Sequence, residues 1–569
     1  MSGLANLNAG SFGTYGGDLL LNYKKGQSNF FIGGEFRERI RPNENFSERI
    51  TILNDTTTTL ISNGTGEHNR GGWSLRAGWD WDITPKDAFS LGVRIGDFEM
   101  DGSSESSYVT TQSPGNLNLS EITLSEFSRG GQYVNITGNF LHKFSKEKEE
   151  ISLQVNYHAR KMEELNESFL LDGDGVNIKN GQGLTETGPA GGWDIRLDYA
   201  KPFGENYLLE LGTQMRFRAH GDYTEIYDFD PLNNELVLQP DLGNDIEYNR
   251  DIIGVYSVFR GKLKSLGYQA GLRGEYTYRL IEPGSVLEPF TIDRFDLFPS
   301  LHLSYDLPAD NQIMANYSRR IDRPRGWRLE PFITWTDLFN VRQGNPALLP
   351  EFIDAYELNY IKSWKKTQLS IESYYRVTHN KVNRITSVYQ EGVLLSTYDN
   401  VGTDYALGIE GMFNVKLSKW WEISLTGNAY DYRIKGAIEG ESFENQSFNW
   451  ASRLSNTFKV HKNLKIQADG RYNSPTVTSQ GKEEDYYMIN LGARADFLDK
   501  KLSASVQVRD VFASARRASF VESPTLYNYR SYLSNAPYFT VNLSYRFNNY
   551  QQKRKNNGGN GGGGMEEEF

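Results

Sequence analysis

Cysteine is absent from the 569 residues, which excludes a disulfide framework, a thiolate nucleophile and cysteine-ligated metal. No run of about 18 or more apolar residues occurs, which excludes a membrane protein built on helices. An excess of positive charge is missing too: 61 Lys+Arg against 72 Asp+Glu leaves a net charge of −11, which argues against nucleic acid as a partner. The 7 histidines are scattered, with no His-x-x-His or His-Glu pair of the kind a catalytic zinc site clusters. The opening Met1-Ser2-Gly3-Leu4-Ala5-Asn6 lacks a basic region, an apolar core and a small-residue cleavage site, so it does not read as a signal peptide.

Aromatic residues are plentiful at 13%, with 34 Tyr, 31 Phe and 10 Trp, and Gly reaches 55. Mean hydropathy is nevertheless −0.58. Strict alternation reconciles these figures. Trp73, Leu75, Ala77, Trp79, Trp81 and Ile83 alternate with Ser74, Arg76, Gly78, Asp80 and Asp82. The same period of two recurs from Phe89 to Gly96, from Ile151 to Arg160 and from Leu464 to Asn473. It predicts strands with one apolar and one polar face. The stretches run about ten residues or longer, the length a tilted strand needs to cross a hydrocarbon core. A polar face carrying charge on strand after strand suits a closed barrel with lipid outside and a hydrated lumen.

Tight polar connections lie near Lys25-Gly26, Pro85-Lys86, Lys146-Glu147, Gly204-Glu205, Lys264-Ser265, Ala309-Asp310, Lys365-Lys366, Ser418-Lys419, Lys462-Asn463 and Asp499-Lys500. Mostly long connections lie between them, at about 40–70, 102–122, 162–188, 221–247, 281–290, 320–352, 379–402, 435–446, 474–484 and 513–536, with a short first one near Thr14-Tyr15. The count predicts an all-β fold, a transmembrane antiparallel β-barrel of about 22 strands with short periplasmic turns and long extracellular loops. The barrel is expected over 1–547. A disordered Gly/Asn-rich periplasmic tail is expected over 548–569. Trp364, Trp420 and Trp421 sit beside short turns, where an interfacial aromatic girdle would lie. The last strand, Val541 to Phe547, alternates and ends in an aromatic, resembling the signal that outer-membrane assembly machinery reads.

The most specific segment reads Asn316-Tyr317-Ser318-Arg319-Arg320-Ile321-Asp322-Arg323-Pro324, then Leu329-Glu330-Pro331-Phe332. It continues through Asp337 and Gly344-Asn345-Pro346-Ala347-Leu348-Leu349-Pro350-Glu351 to Tyr356-Glu357-Leu358-Asn359-Tyr360. It resembles the TonB-dependent receptors, an outer-membrane β-barrel family in which an Arg-x-Pro stretch, a Gly-Asn-Pro and a Pro-Glu precede a descending strand. Leu4 to Gly13, Gly17 to Lys24 and Ser28 to Arg39 resemble that family's first three barrel strands. The resemblance implies energised import across the outer membrane of a Gram-negative-type bacterium, with TonB and a plug domain as partners. The family's TonB box and plug are not read in the sequence, which opens where the first barrel strand should begin. A passive or structural channel without a plug, and a surface adhesion barrel, are the alternatives. No enzymatic activity and no cofactor are expected, because no nucleophile–base pair is marked in the sequence.

Three sets of residues are candidates. Arg323, Arg325, Trp327, Arg328, Phe332, Trp335, Phe339 and Arg342 place aromatics beside cations in one connection, a combination suited to an anionic or sugar-like solute. Packing of that connection back onto the barrel mouth is the alternative. Arg76, Asp80, Arg94, Arg160, Lys465, Asp469, Arg471 and Arg546 fall on the polar face, an expected lumen lining of mixed sign. Asp172, Asp174 and Asn177 resemble the front of a calcium loop, but Val176 and the absence of a twelfth-position Glu favour a polar turn. The solute itself is not legible in the sequence.

Overall fold

A computed structural model describes residues 1–284 and 288–548. The expected tail thus lies, beyond Asn548, outside the described residues, as does part of the connection near 281–290. The chain forms a closed antiparallel barrel of 22 strands, running from Ser2–Gly10 to Tyr538–Phe547. Among the described residues no helix is long and apolar enough to cross a membrane, and the crossing is made by strands.

The barrel closes by pairing its first strand with its last, from Gly3↔Phe547 to Gly10↔Thr540. Gly3 lies under the Phe547 ring, and a Cβ there would run into it. Short turns join strands at the end where both barrel termini lie. Gly26, at φ +57, makes the turn between Tyr15–Lys25 and Ser28–Leu53.

The expected long connections are largely strand themselves. Ser28–Leu53 and Thr56–Asp82 stay in unbroken register from Ser28↔Trp81 to Leu53↔Thr56. They turn at Asn54 and Asp55 alone, with φ +48 and +61, the left-handed pair that a two-residue hairpin needs. At about 3.3 Å per residue and a tilt near 45°, such a strand rises about 60 Å, whereas the apolar band of an outer-membrane barrel is about 25 Å tall. More than half of this hairpin therefore stands outside the lipid. A long polar, Thr- and Ser-rich stretch looks like loop in sequence, but continued cross-strand pairing gives its backbone groups partners along the hairpin.

Burial is inverted relative to a water-soluble sandwich. Ile32 is 59% exposed and Leu75 52%, both on the outer face near the short turns, where lipid would cover them. The buried apolar cluster sits inside the outer half of the barrel instead, built from Ile246, Tyr248, Ile281, Leu329, Leu348, Val382 and Tyr398. Trp364 and Trp420 are exposed beside short turns, and Trp420, Trp421 and Phe458 form one cluster with ring centroids 5.9 to 6.2 Å apart. That placement agrees with a girdle at the membrane interface.

Candidate functional site: an inward-folded segment and the chamber beside it

Between the strands Asn311–Asp322 and Glu351–Ser363 the chain does not rise as a hairpin. Pro324, Pro331, Pro346 and Pro350 remove backbone donors and break pairing, so the segment folds back into the barrel. There it forms its own small hairpin, Ile333–Asp337 with Asn340–Gln343. Residues 340–342 also pair in parallel with 394–396 of the barrel wall. Leu348 and Leu394 are fully buried, and Leu329 and Val341 nearly so.

Charged side chains bolt the segment down. Arg49, buried on the Ser28–Leu53 strand, donates to the carbonyls of Phe339 and Gly392 at 3.0 and 2.8 Å and to Asn340 Oδ1 at 2.9 Å. Arg530 donates to the same Asn340 Oδ1 at 2.9 Å. Asn340 in turn donates through Nδ2 to Asp337 at 2.8 Å, and Asp337 also accepts from the Phe339 N–H. Burial, with Arg530 beside it, pushes the Arg49 guanidinium down to about 10, still charged at neutral pH. On the opposite side Arg279 donates to the carbonyls of Pro346 and Leu348 at 2.8 and 3.4 Å.

Most of the sequence candidates in this segment serve its packing. Arg323 reaches Glu275 at 2.6 Å and Thr277 at 3.1 Å. Trp327 meets Tyr398 edge-on at 5.2 Å, and the guanidiniums of Arg328 and Arg342 lie over its ring at 5.2 and 5.7 Å. Arg342 also pairs with Glu330 at 3.0 Å. Phe332 packs on the buried cluster, Trp335 is half-buried opposite Val341, and Arg325 is exposed. Phe339 differs. It stacks on Tyr108 of the wall at 4.6 Å and borders a chamber.

That chamber, about 1040 Å³, lies in the outer half of the barrel between the tip at 336–340 and the surrounding strands. Its wall is rich in Ser, Thr and Asn, including Asn45, Ser47, Ser125, Asn166 and Asn473. Arg49, Arg530, Asn340 and Tyr108 carry the site but were not singled out from the sequence. Arg49 and Asn340 lie 291 residues apart, with no motif linking them.

The expected lumen residues fall on the polar face, and several of them are held by neighbours on nearby strands. Arg76 faces Arg94 in register, and Arg94 pairs with Glu35 and donates to Ser74 at 3.1 Å. Asp80 accepts from Asn29 at 3.1 Å. Asp469 accepts from Arg453 at 2.8 Å and from Ser455, while Arg471 lies over Tyr486 at 5.6 Å. Lys465 faces Lys459 and Arg494, Arg160 faces Tyr133, and Arg546 faces Leu4.

Asp172, Asp174 and Asn177 make a turn. Asp172 accepts from the backbone N–H groups of Val176 and Asn177 and from the Asn177 side chain at 2.6 Å, and Asp174 accepts from Val176 N–H at 3.1 Å. These bonds, with the one it shares with Asp174 foremost, hold the Asp172 carboxyl well below its usual range. Among the described residues no group of three or more acidic or histidine side chains is placed to hold a metal ion.

The model of the outer membrane protein beta-barrel family matches residues 142–545, well over half of the chain. The chain belongs to that family. As a member of the outer membrane protein beta-barrel family, it resides in the outer membrane. A search of curated protein sequences finds no match. Solved structures share the fold. The copper transporter OprC is 12% identical, with a TM-score of 0.65 over 96% of this chain and 80% of that one. The siderophore receptor PiuA from Acinetobacter baumannii is 11% identical, with a TM-score of 0.64 over 96% and 82%. The ferripyoverdine receptor of the outer membrane of Pseudomonas aeruginosa is 14% identical, with a TM-score of 0.62 over 96% and 72%.

Proposed function

We propose that this barrel is the translocation domain of a TonB-dependent receptor, importing a solute too large for small porins. The observation that carries the reading is the segment at 323–350, folded into the barrel and bonded to opposite walls beside a polar chamber. A passive channel needs a standing hydrated path, and a 22-stranded wall with its mouth narrowed by a bolted segment does not suit one. Capture followed by energised release suits it better. In this reading TonB and a plug domain are the partners, lipid surrounds the apolar belt, and the strand ending at Phe547 is what assembly machinery reads. The eight charged residues from Arg76 to Arg546 line the lower lumen, where charges of mixed sign hold water and disfavour strong ion selectivity.

The test is depletion. Cells with and without the barrel are given a defined mixture of ferric chelates, neutral and acidic oligosaccharides and peptides, and the medium is assayed by mass spectrometry, with and without a protonophore. Loss of one solute class that requires both the barrel and the proton gradient supports the proposal. Barrel-dependent loss that ignores the protonophore would show a passive channel, and no barrel-dependent loss would overturn the transport reading.

A further inference from the structure

The charges at the tip of the segment are engaged by the protein, while Glu483 and Glu484 at the border are exposed. Arg49 and Arg530 both point at Asn340 Oδ1, Arg49 also holds two carbonyls, and Asp337 holds Asn340 and the Phe339 N–H. Arg517, at the border, lies over the Tyr486 ring at 5.9 Å. Glu126 and Glu167 face each other in register, and their neighbours Ser125 and Ser168, joined at 2.8 Å, take the alternate face of the same strands. Arg49 and Asp337 thus use most of their hydrogen-bonding capacity inside the protein, and along the wall Ser, Thr and Asn outnumber the charged side chains.

Most of what the wall offers is neutral. Hydroxyls and carboxamides each donate and accept, as on Ser47, Ser125, Asn45, Asn166 and Asn473. The stacked pair Tyr108 and Phe339 adds an aromatic surface at the tip. A ligand matched to this wall carries many hydroxyl groups, each both donor and acceptor, on a body with apolar C–H faces for the rings. The volume, about 1040 Å³, lies at the upper end of the roughly 300–1,000 Å³ usual for small-molecule sites.

We infer that the chamber is a binding site for a neutral polyhydroxylated solute of the oligosaccharide class, with Phe339 on the inward-folded tip supplying the stacking surface. The inference rests on the transport reading only in taking the chamber as the point of entry. Purified barrel in detergent is titrated calorimetrically with maltohexaose, cellohexaose and xylohexaose, with hexagalacturonate as the anionic counterpart and a ferric trihydroxamate as the charged chelate. Saturable binding of a neutral hexaose is expected. Asn166→Ala and Asn473→Ala should each weaken it about tenfold, as expected for one lost hydrogen bond. Phe339→Leu should weaken it further, and Tyr108→Phe, which keeps the ring, should leave it nearly unchanged. Each variant is first checked for the heat-modifiable gel mobility of a folded barrel. Binding of hexagalacturonate or the chelate in preference to every neutral hexaose would overturn the inference, as would binding by none, or neutral binding that both Asn variants leave intact. Because the titration needs no uptake, hexaose binding without uptake would sink the transport reading alone.

Discussion

Arg49 reaches Asn340 across 291 residues of sequence, its guanidinium 2.9 Å from the amide oxygen that Arg530 also addresses. This contact joins an outer hairpin to the tip of the inward-folded segment. Arg49→Ala would take the charged donor from the Gly392 carbonyl, at a cost of about 1–3 kcal/mol if that acceptor is stranded in the interior, while the Phe339 carbonyl keeps the Leu394 N–H at 3.0 Å. The barrel should still form, since its ladders are untouched, while amide hydrogen exchange over 333–343 should accelerate. Arg49→Lys should not restore protection, because an ammonium cannot present a planar fork to three acceptors. Unchanged exchange in both variants would show that the parallel pairing at 340–342 alone holds the segment.

Conductance tests whether the segment closes the mouth. In a planar bilayer the intact barrel should show small, fluctuating currents. Replacing 329–346 by a short Gly-Ser linker should give a large, nearly ohmic pore of weak selectivity, because no apolar collapse can fill a lumen of 22 strands lined by paired charges. Equal conductance in the two forms would place the constriction elsewhere.

Docking of the segment should weaken as pH rises. Glu186 lies 18 residues from the short turn at Gly204, well beyond the roughly 9–11 residues that cross the lipid. It faces Glu164 directly in register, with Asp222 close by. Burial first, then Asp222, Glu330 and Glu164, push its carboxyl up to about 8, against the pull of Arg342. Burial likewise pushes Glu330 up to about 7, with Arg342 and His220 opposing and Asp222 and Glu164 reinforcing. An acid whose pKa is higher docked than undocked binds more protons when docked, so its contribution is full at low pH and falls between the ordinary value and the raised one. Hydrogen-exchange protection of 329–343 should thus be highest near pH 5, decline to about pH 8 and then level off. Glu330→Gln should flatten much of that profile. A rise in protection with pH would contradict the assignment.

The two ends of the barrel can be told apart by labelling, which the absence of native cysteine makes clean. In intact cells an impermeant thiol reagent should react with Asp55→Cys at the hairpin tip and spare Glu147→Cys at a short turn. The reverse pattern would invert the barrel.

Alternation and turn chemistry in the sequence were sufficient for the barrel, its strand number and its two ends, because a period of two and a tight polar turn are local properties of the chain. The Trp364 and Trp420 positions were legible for the same reason. The extent of the outer hairpins was not, since Thr56 to Gly66 reads as polar loop until a partner strand is present to pair with it. Nor was the role of the segment near 330. Its aromatic and basic residues read as a presented surface, yet Trp327 and Arg342 turn inward onto Tyr398 and Glu330 because the barrel supplies the other half of each contact. The chamber, and the pairing of Arg49 with Asn340, exist only once closure between Gly3 and Phe547 bends distant strands around one lumen. Contacts across a barrel are set by its circumference, and nothing in the local chemistry of either residue encodes which strand lies opposite.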